Sequence, residues 1–270
     1  MLDEMLQSAP VFLLLAVRAL AMIETAPLLS SEAIPQVAKI ALAGFAAYGV
    51  IPDARGVPFF GGLQVELFGL SFIFLVIGEA IIGIIIGFFL TILYAAFSTA
   101  GQFFSLQMGF GASETFDPLS QVENPLMGQY LNLVAMLVFL AVGGFQQLFL
   151  GGFHRSVQSL STPALVMGRE TLAAMLTSGL TRLFLDAMII ALPILGTLFL
   201  TSLSTGLISK AAPQVNILSE GFPISITVAF LLIFFSLPFM VEAFSRVVDA
   251  GFSAIETLYV RIGEPIGEGL

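Results

Sequence analysis

Cysteine is absent from the 270 residues, which excludes disulfides, thiolate metal sites and thiol nucleophiles and leaves no mark of a redox compartment. Tryptophan is absent as well, so only four tyrosines are available as aromatic anchors at a lipid–water interface. The single histidine, His154, stands beside Arg155 at the end of an apolar run and reads as a loop histidine before a proton relay. Gly109 and Gly111 lack the trailing Lys-Ser/Thr of a P-loop, so the chain carries no phosphate cradle for ATP hydrolysis. With no catalytic constellation, metal cluster or cofactor motif, the sequence reads as a non-enzyme.

Charge is scarce and unevenly signed. Only 10% of residues are charged, against about 25% in an ordinary soluble domain. Nine basic and eighteen acidic residues give a net charge of −9, which argues against nucleic acid or anionic lipid head groups as partners. Between Arg55 and Arg155 there is no Lys or Arg, while Glu66, Glu79, Glu114, Asp117 and Glu123 fall inside that gap.

What is abundant is apolar sequence, 58% of the chain. Uncharged runs at Ala80 to Ser113, Asn124 to Phe153, Ala187 to Ser209 and Gly221 to Val241 each reach the ~20 residues needed to cross a hydrocarbon core. Val11 to Ile23 and Gln36 to Ile51 are weaker segments. Together they predict an all-α membrane protein of about six long hydrophobic segments. Asp3 and Glu4 stand where a cleavable signal peptide carries basic residues, so the N-terminus is expected to be retained. Arg55, Arg155, Arg169, Arg182, Arg246 and Arg261 fall on the side of the termini, and Lys39 and Lys210 on the other. The positive-inside rule then places both termini in the cytoplasm.

Several segments are too long for simple spans. Leu67 to Ala100 has helical character over about 50 Å, which predicts a kink near Gly78, Gly83 and Gly87 or an extension beyond the bilayer. Leu172 to Ser209 carries Pro193 in its interior, and Pro238 interrupts the last span; each removes a backbone hydrogen bond and favours a bend. From Glu242 onward, Phe244, Val248, Phe252, Ile255, Tyr259 and Ile262 recur at helical spacing, with Arg246, Asp249, Glu256 and Arg261 on other faces. This predicts an amphipathic helix ending at Gly263. The chain reads as one membrane domain over 1–270, with hairpins over about 1–100, a loop at about 101–125, further hairpins over about 126–241 and the amphipathic tail at about 242–262.

Three intramembrane charges stand out. Arg182 and Asp186 are spaced to pair on one helix face, which lowers the cost of charge near lipid. Glu79 has no basic residue near it in sequence, so it must face protein, water or a proton. Gly83 and Gly87 form a small face that lets another helix approach. The stretch LQMGFGASETFDP, Leu106 to Pro118, ends a lipid-grade run with glycines, acids and a proline. It reads either as an extramembrane loop or as a re-entrant plug. In the second reading Phe103, Phe104, Met108, Phe110 and Phe116 supply bulk, and Glu114 and Asp117 face water.

That stretch, followed by a long apolar helix, and SKAAPQVNILSEGFP at 209–223, followed by another, together resemble the FliR family of flagellar type III export-gate subunits. A homologous counterpart serves virulence type III secretion. The resemblance covers essentially the whole chain in length and hydrophobic layout. It implies kinked helical hairpins assembled with FliP-like and FliQ-like subunits into a helical, cone-shaped conduit for unfolded flagellar proteins. FlhB-like and FlhA-like components are further partners, and the setting is the bacterial inner membrane at the flagellar basal body. It also implies a pore plug at Phe103, Phe104, Gln107, Met108, Gly109, Phe110, Gly111, Glu114, Phe116, Asp117 and Pro118, and an assembly motif at Pro213, Gln214, Asn216, Gly221, Phe222 and Pro223. Glu114, and Ser219 with Glu220 before the GFP triplet, depart from the apolar residues usual there. A small-solute secondary transporter using Glu79 and the Arg182–Asp186 pair is the rival reading, although no repeat relates two halves.

Overall fold

The computed structural model describes residues 2–61, 69–108, 126–211 and 217–263. Every element among them is helical: α1 (Leu2–Thr25), α2 (Gln36–Gly56), α3 (Pro58–Gly61), α4 (Leu70–Met108), α5 (Leu126–Ala141), α6 (Gly144–Gln146), a π-helix (Gln147–His154), α7 (Arg155–Ser159), α8 (Thr162–Met167), α9 (Arg169–Ala211) and α10 (Ile217–Gly263). Four helices are long and apolar enough to cross a membrane, or five if the pair broken at Gly143 counts as one span. With α1, these are the six apolar segments read from the sequence.

The long helices are continuous. α4, α9 and α10 have 39, 43 and 47 residues, or about 58, 65 and 70 Å at 1.5 Å per residue, against a core of about 30 Å. α4 passes Gly78, Gly83 and Gly87 without interruption, and α9 and α10 run through Pro193 and Pro238. The excess length is therefore carried by helices without a break in their helical run.

Breaks occur where local chemistry dictates them. Gly143 sits in the left-handed region at φ 71°, a conformation that a residue without Cβ adopts freely, and it separates α5 from α6. Leu160 is extended, and Ser161 then caps α8 by accepting the Ala164 amide at 3.4 Å, with Pro163 in the first turn.

The chain forms two compact units. Unit 1 comprises 1–92, 143–179 and 248–270; unit 2 comprises 93–142 and 180–247. In unit 1, α1 and α4 cross at glycines. A Cβ on Gly83 would lie 2.2 Å from the Arg18 carbonyl, and one on Gly87 1.9 Å from the Thr25 hydroxyl. The Thr91 hydroxyl closes this crossing by donating to Thr25 O at 2.9 Å. The C-terminal part of α10 presents the expected face: Val248, Phe252, Ile255, Leu258 and Tyr259 are buried, whereas Asp249, Glu256 and Arg261 are exposed. In unit 2, Gly101 brings α4 against Gly128 of α5, its absent Cβ 2.5 Å from the Gly128 Cα. Tyr94, Phe97, Phe139 and Phe244 meet there edge to face, with centroids 4.3 to 5.8 Å apart.

Candidate functional site

The end of α4 carries the first part of the candidate plug. Phe104 and Met108, one turn apart, are fully buried in unit 2, and Phe103 and Gln107 are half-buried beside them. The residues leading out of α4 therefore set their bulk against protein. Gly109, Phe110, Gly111, Glu114, Phe116, Asp117 and Pro118 lie outside the described residues, as do Pro213, Gln214 and Asn216. Gly221, Phe222 and Pro223 belong to the first two turns of α10.

The second centre is one that sequence reasoning did not assemble. Glu79 on α4 is completely buried and faces Arg18 of α1, also completely buried. Arg18 Nε and Nη2 both reach Glu79 Oε2 at 2.5 Å. Nη1 donates to Ser156 Oγ at 3.1 Å and Nη2 to the Leu160 carbonyl at 2.9 Å. The other carboxylate oxygen, Oε1, accepts from Thr162 Oγ1 at 3.3 Å. The Phe60 ring lies 5.9 Å from the Arg18 guanidinium carbon, within cation–π range. One charge pair thus fastens α1, α4 and both sides of the break between α7 and α8.

The glycine crossing is what makes this pair possible. Gly83 lets the Arg18 backbone reach α4 one turn from Glu79, and Gly78 admits Thr162, whose Cγ2 would sit 2.2 Å from a Cβ there. Taken out of water, an arginine and a glutamate are tolerated only when paired and hydrogen-bonded, and here both conditions hold. The cue in the sequence was two lone charges of opposite sign, each inside an apolar run. Their pairing could not be read from spacing, because Arg18 is 61 residues from Glu79.

Arg182 and Asp186 share α9 in unit 2, with Arg182 exposed and Asp186 half-buried, and the described ion pairs do not include one between them. His154 is half-buried on the π-helix, 3.7 Å from the Asp53 carboxylate and 3.2 Å from Gln158 Nε2.

Long unbroken helices, large apolar side chains left outward on α9 and α10 such as Phe184, Ile189, Phe234 and Phe239, and a buried charge pair define an integral membrane protein of the all-α class. The family described as "Bacterial export proteins, family 1" matches residues 9–251. The flagellar biosynthetic protein FliR of Escherichia coli is 31% identical over 224 residues, 80% of this chain and 79% of that protein. FliR of Bacillus subtilis is 29% identical over 226 residues, covering 83% and 85%. The surface presentation of antigens protein SpaR of Shigella sonnei is 28% identical over 162 residues, covering 60% and 61%. The chain belongs to this family of bacterial export proteins, the FliR family.

Proposed function

We infer that the chain is a non-enzymatic subunit of the flagellar type III export gate. The observation that carries this is the family match over residues 9–251, with flagellar FliR proteins aligned across about four-fifths of the chain. The relative named for surface presentation of antigens aligns over 60% of the chain, which favours the flagellar over the virulence assignment. The subunit sits in the bacterial inner membrane at the basal body. It assembles with FliP-like and FliQ-like subunits and works beside FlhB-like and FlhA-like components. Exported flagellar proteins pass the conduit unfolded.

The mechanism follows from side-chain chemistry. Residues Phe103 to Pro118 form the plug. Its aromatic and methionine side chains exclude ions while closed, and they tolerate varied polypeptide when displaced because apolar, polarisable contacts adapt. Phe104 and Met108 of the plug are fully buried in the subunit, so opening by this mechanism has to free them from that packing. The transporter reading is less favoured, because the carboxylate of Glu79 is engaged by Arg18 and Thr162 and is not left free to bind a coupling ion.

The test is deletion of Gly109 to Phe116 in cells, with membrane conductance, secretion and co-purification of FliP-like and FliQ-like partners measured together. An assembled complex that leaks ions supports the plug. A complex that forms, stays tight and secretes normally refutes the mechanism.

A further inference from the structure

The segment between Gly143 and Leu160 is unlike the rest of the protein. Eight consecutive residues, Gln147 to His154, form a π-helix, where π geometry is ordinarily confined to a single-turn bulge and concentrates at functional positions. Its end shows two registers meeting at one amide. The Arg155 N–H is shared between Leu150 O, five residues back, and Gly152 O, three residues back, and the carbonyl four residues back takes no part in that sharing.

The register is held from outside its own ladder. The buried Tyr259 hydroxyl on α10 donates to Gly152 O at 2.7 Å, and Ser156 Oγ donates to Phe153 O at 2.6 Å. Downstream, the Arg18 guanidinium fixes Ser156 Oγ and Leu160 O. Packing is asymmetric across the glycine pair: a Cβ on Gly152 would meet Ile86 of α4 at 3.2 Å, whereas one on Gly151 would meet nothing within 4 Å. Upstream, Gly143 at φ 71° breaks the helix from α5 in a conformation that favours glycine.

We propose that the π-helix at 147–154 is a two-register joint in unit 1, and that Tyr259 is the positioning residue that latches it in the π register. On passing to the i→i+4 register, Gly152 O accepts from the Ser156 amide and the Tyr259 hydroxyl loses its hold on the segment. Each residue position corresponds to about 100° of helix rotation. With the downstream end pinned by Arg18, that rotation is delivered upstream at Gly143. The step is discrete, because each register satisfies the backbone and the intermediates do not. Its use in opening a conduit rests on the export-gate reading above; the register change itself does not.

The experiment is hydrogen–deuterium exchange by mass spectrometry on the complex purified from membranes, reading peptides over 143–160, with secretion measured in the same strains. Tyr259→Phe removes only the latching hydroxyl, and exchange in this segment rises about five- to tenfold, with peptides over 126–141 unchanged. Removing Gly151 takes out the extra residue and forces the α register: exchange slows to or below the wild-type rate, the complex assembles and secretion falls. Unchanged exchange in Tyr259→Phe, or exchange faster than wild type without Gly151, overturns the proposal; normal secretion without Gly151 overturns its use in opening a conduit. If the chain lacking Gly151 does not accumulate, the Tyr259→Phe exchange decides alone. Failure of the wild-type chain to co-purify with export-gate partners would instead sink the export-gate reading and leave the exchange result standing.

Discussion

Arg18 and Glu79 are separated by 61 residues of sequence and by 2.5 Å in unit 1, both without solvent exposure. Two glycines on α4 bring their helices close enough, and the Ser156 hydroxyl and the Leu160 carbonyl each accept a further guanidinium N–H. The pair therefore couples three parts of the chain, although each residue alone would be a liability in an apolar interior.

Breaking the pair from one side leaves a buried charge without its partner. Arg18→Leu or Glu79→Leu is expected to cost about 3–5 kcal/mol, and the double variant to recover most of that loss, because an apolar pair leaves no orphan charge. Thermal stability and steady-state level of the subunit in membranes check this. Equal loss in the single and double variants would show that the charges act separately.

The glycine crossing predicts a contrast between two alanine substitutions. At Gly83 the new Cβ meets the Arg18 backbone carbonyl, which cannot swing aside as a side chain would, so Gly83→Ala is expected to destabilise by about 1–3 kcal/mol. A Cβ on Gly49 of α2 would meet nothing within 4 Å among the described residues. There alanine is expected to be neutral or to stabilise by up to about 1 kcal/mol through helix propensity. Protease resistance of the two variants in native membranes reads the difference, and similar loss in both would refute the crossing geometry.

The sequence reading succeeded where one side chain type had one physical meaning. Apolar runs gave the helices, and the periodicity after Glu242 gave the buried face of α10 down to Tyr259. Gly83 and Gly87 gave a close helix approach, though not α1 as the partner. Pairing across long separation was not legible: Arg18 falls inside the apolar run Val11 to Ile23, and nothing in a linear pattern specifies which helix it will meet. The π-helix was equally hidden. Gln147 to His154 has the composition of any apolar helix, and its register depends on Tyr259, more than a hundred residues further on.

Two buried tyrosines are expected to respond oppositely to loss of the hydroxyl. Tyr94 sits beside Phe139 and Phe244 with no hydrogen-bond partner for its oxygen among the described residues, whereas Tyr259 donates to Gly152 O. Tyr94→Phe removes an unsatisfied polar atom and should leave stability unchanged or raise it by about 1 kcal/mol; Tyr259→Phe loses a made bond and should lower it by a similar amount. Paired melting curves of the two variants decide the matter, and a drop for Tyr94→Phe would mean that its hydroxyl has a partner in the assembled state.

Arg182 carries the prediction that bears most directly on assembly. It is exposed on α9 within a stretch that also turns Phe184, Leu185, Met188 and Ile189 outward. A guanidinium facing hydrocarbon is strongly disfavoured, by roughly 2.5–3.5 kcal/mol at a helix centre on insertion scales; Asp186, one turn on, is within electrostatic reach of Arg182, but the described ion pairs include no salt bridge between the two. The arginine is therefore expected to be covered by a neighbouring subunit that offers an acceptor. Arg182→Leu should leave the subunit inserted and present at normal levels, since lipid accepts leucine, while co-purification of FliP-like and FliQ-like partners falls. Arg182→Lys, which keeps the charge but not the planar fork, should fall between the two. If Arg182→Leu assembles as well as wild type, this face of α9 meets lipid or water, and the interface lies elsewhere on the helix.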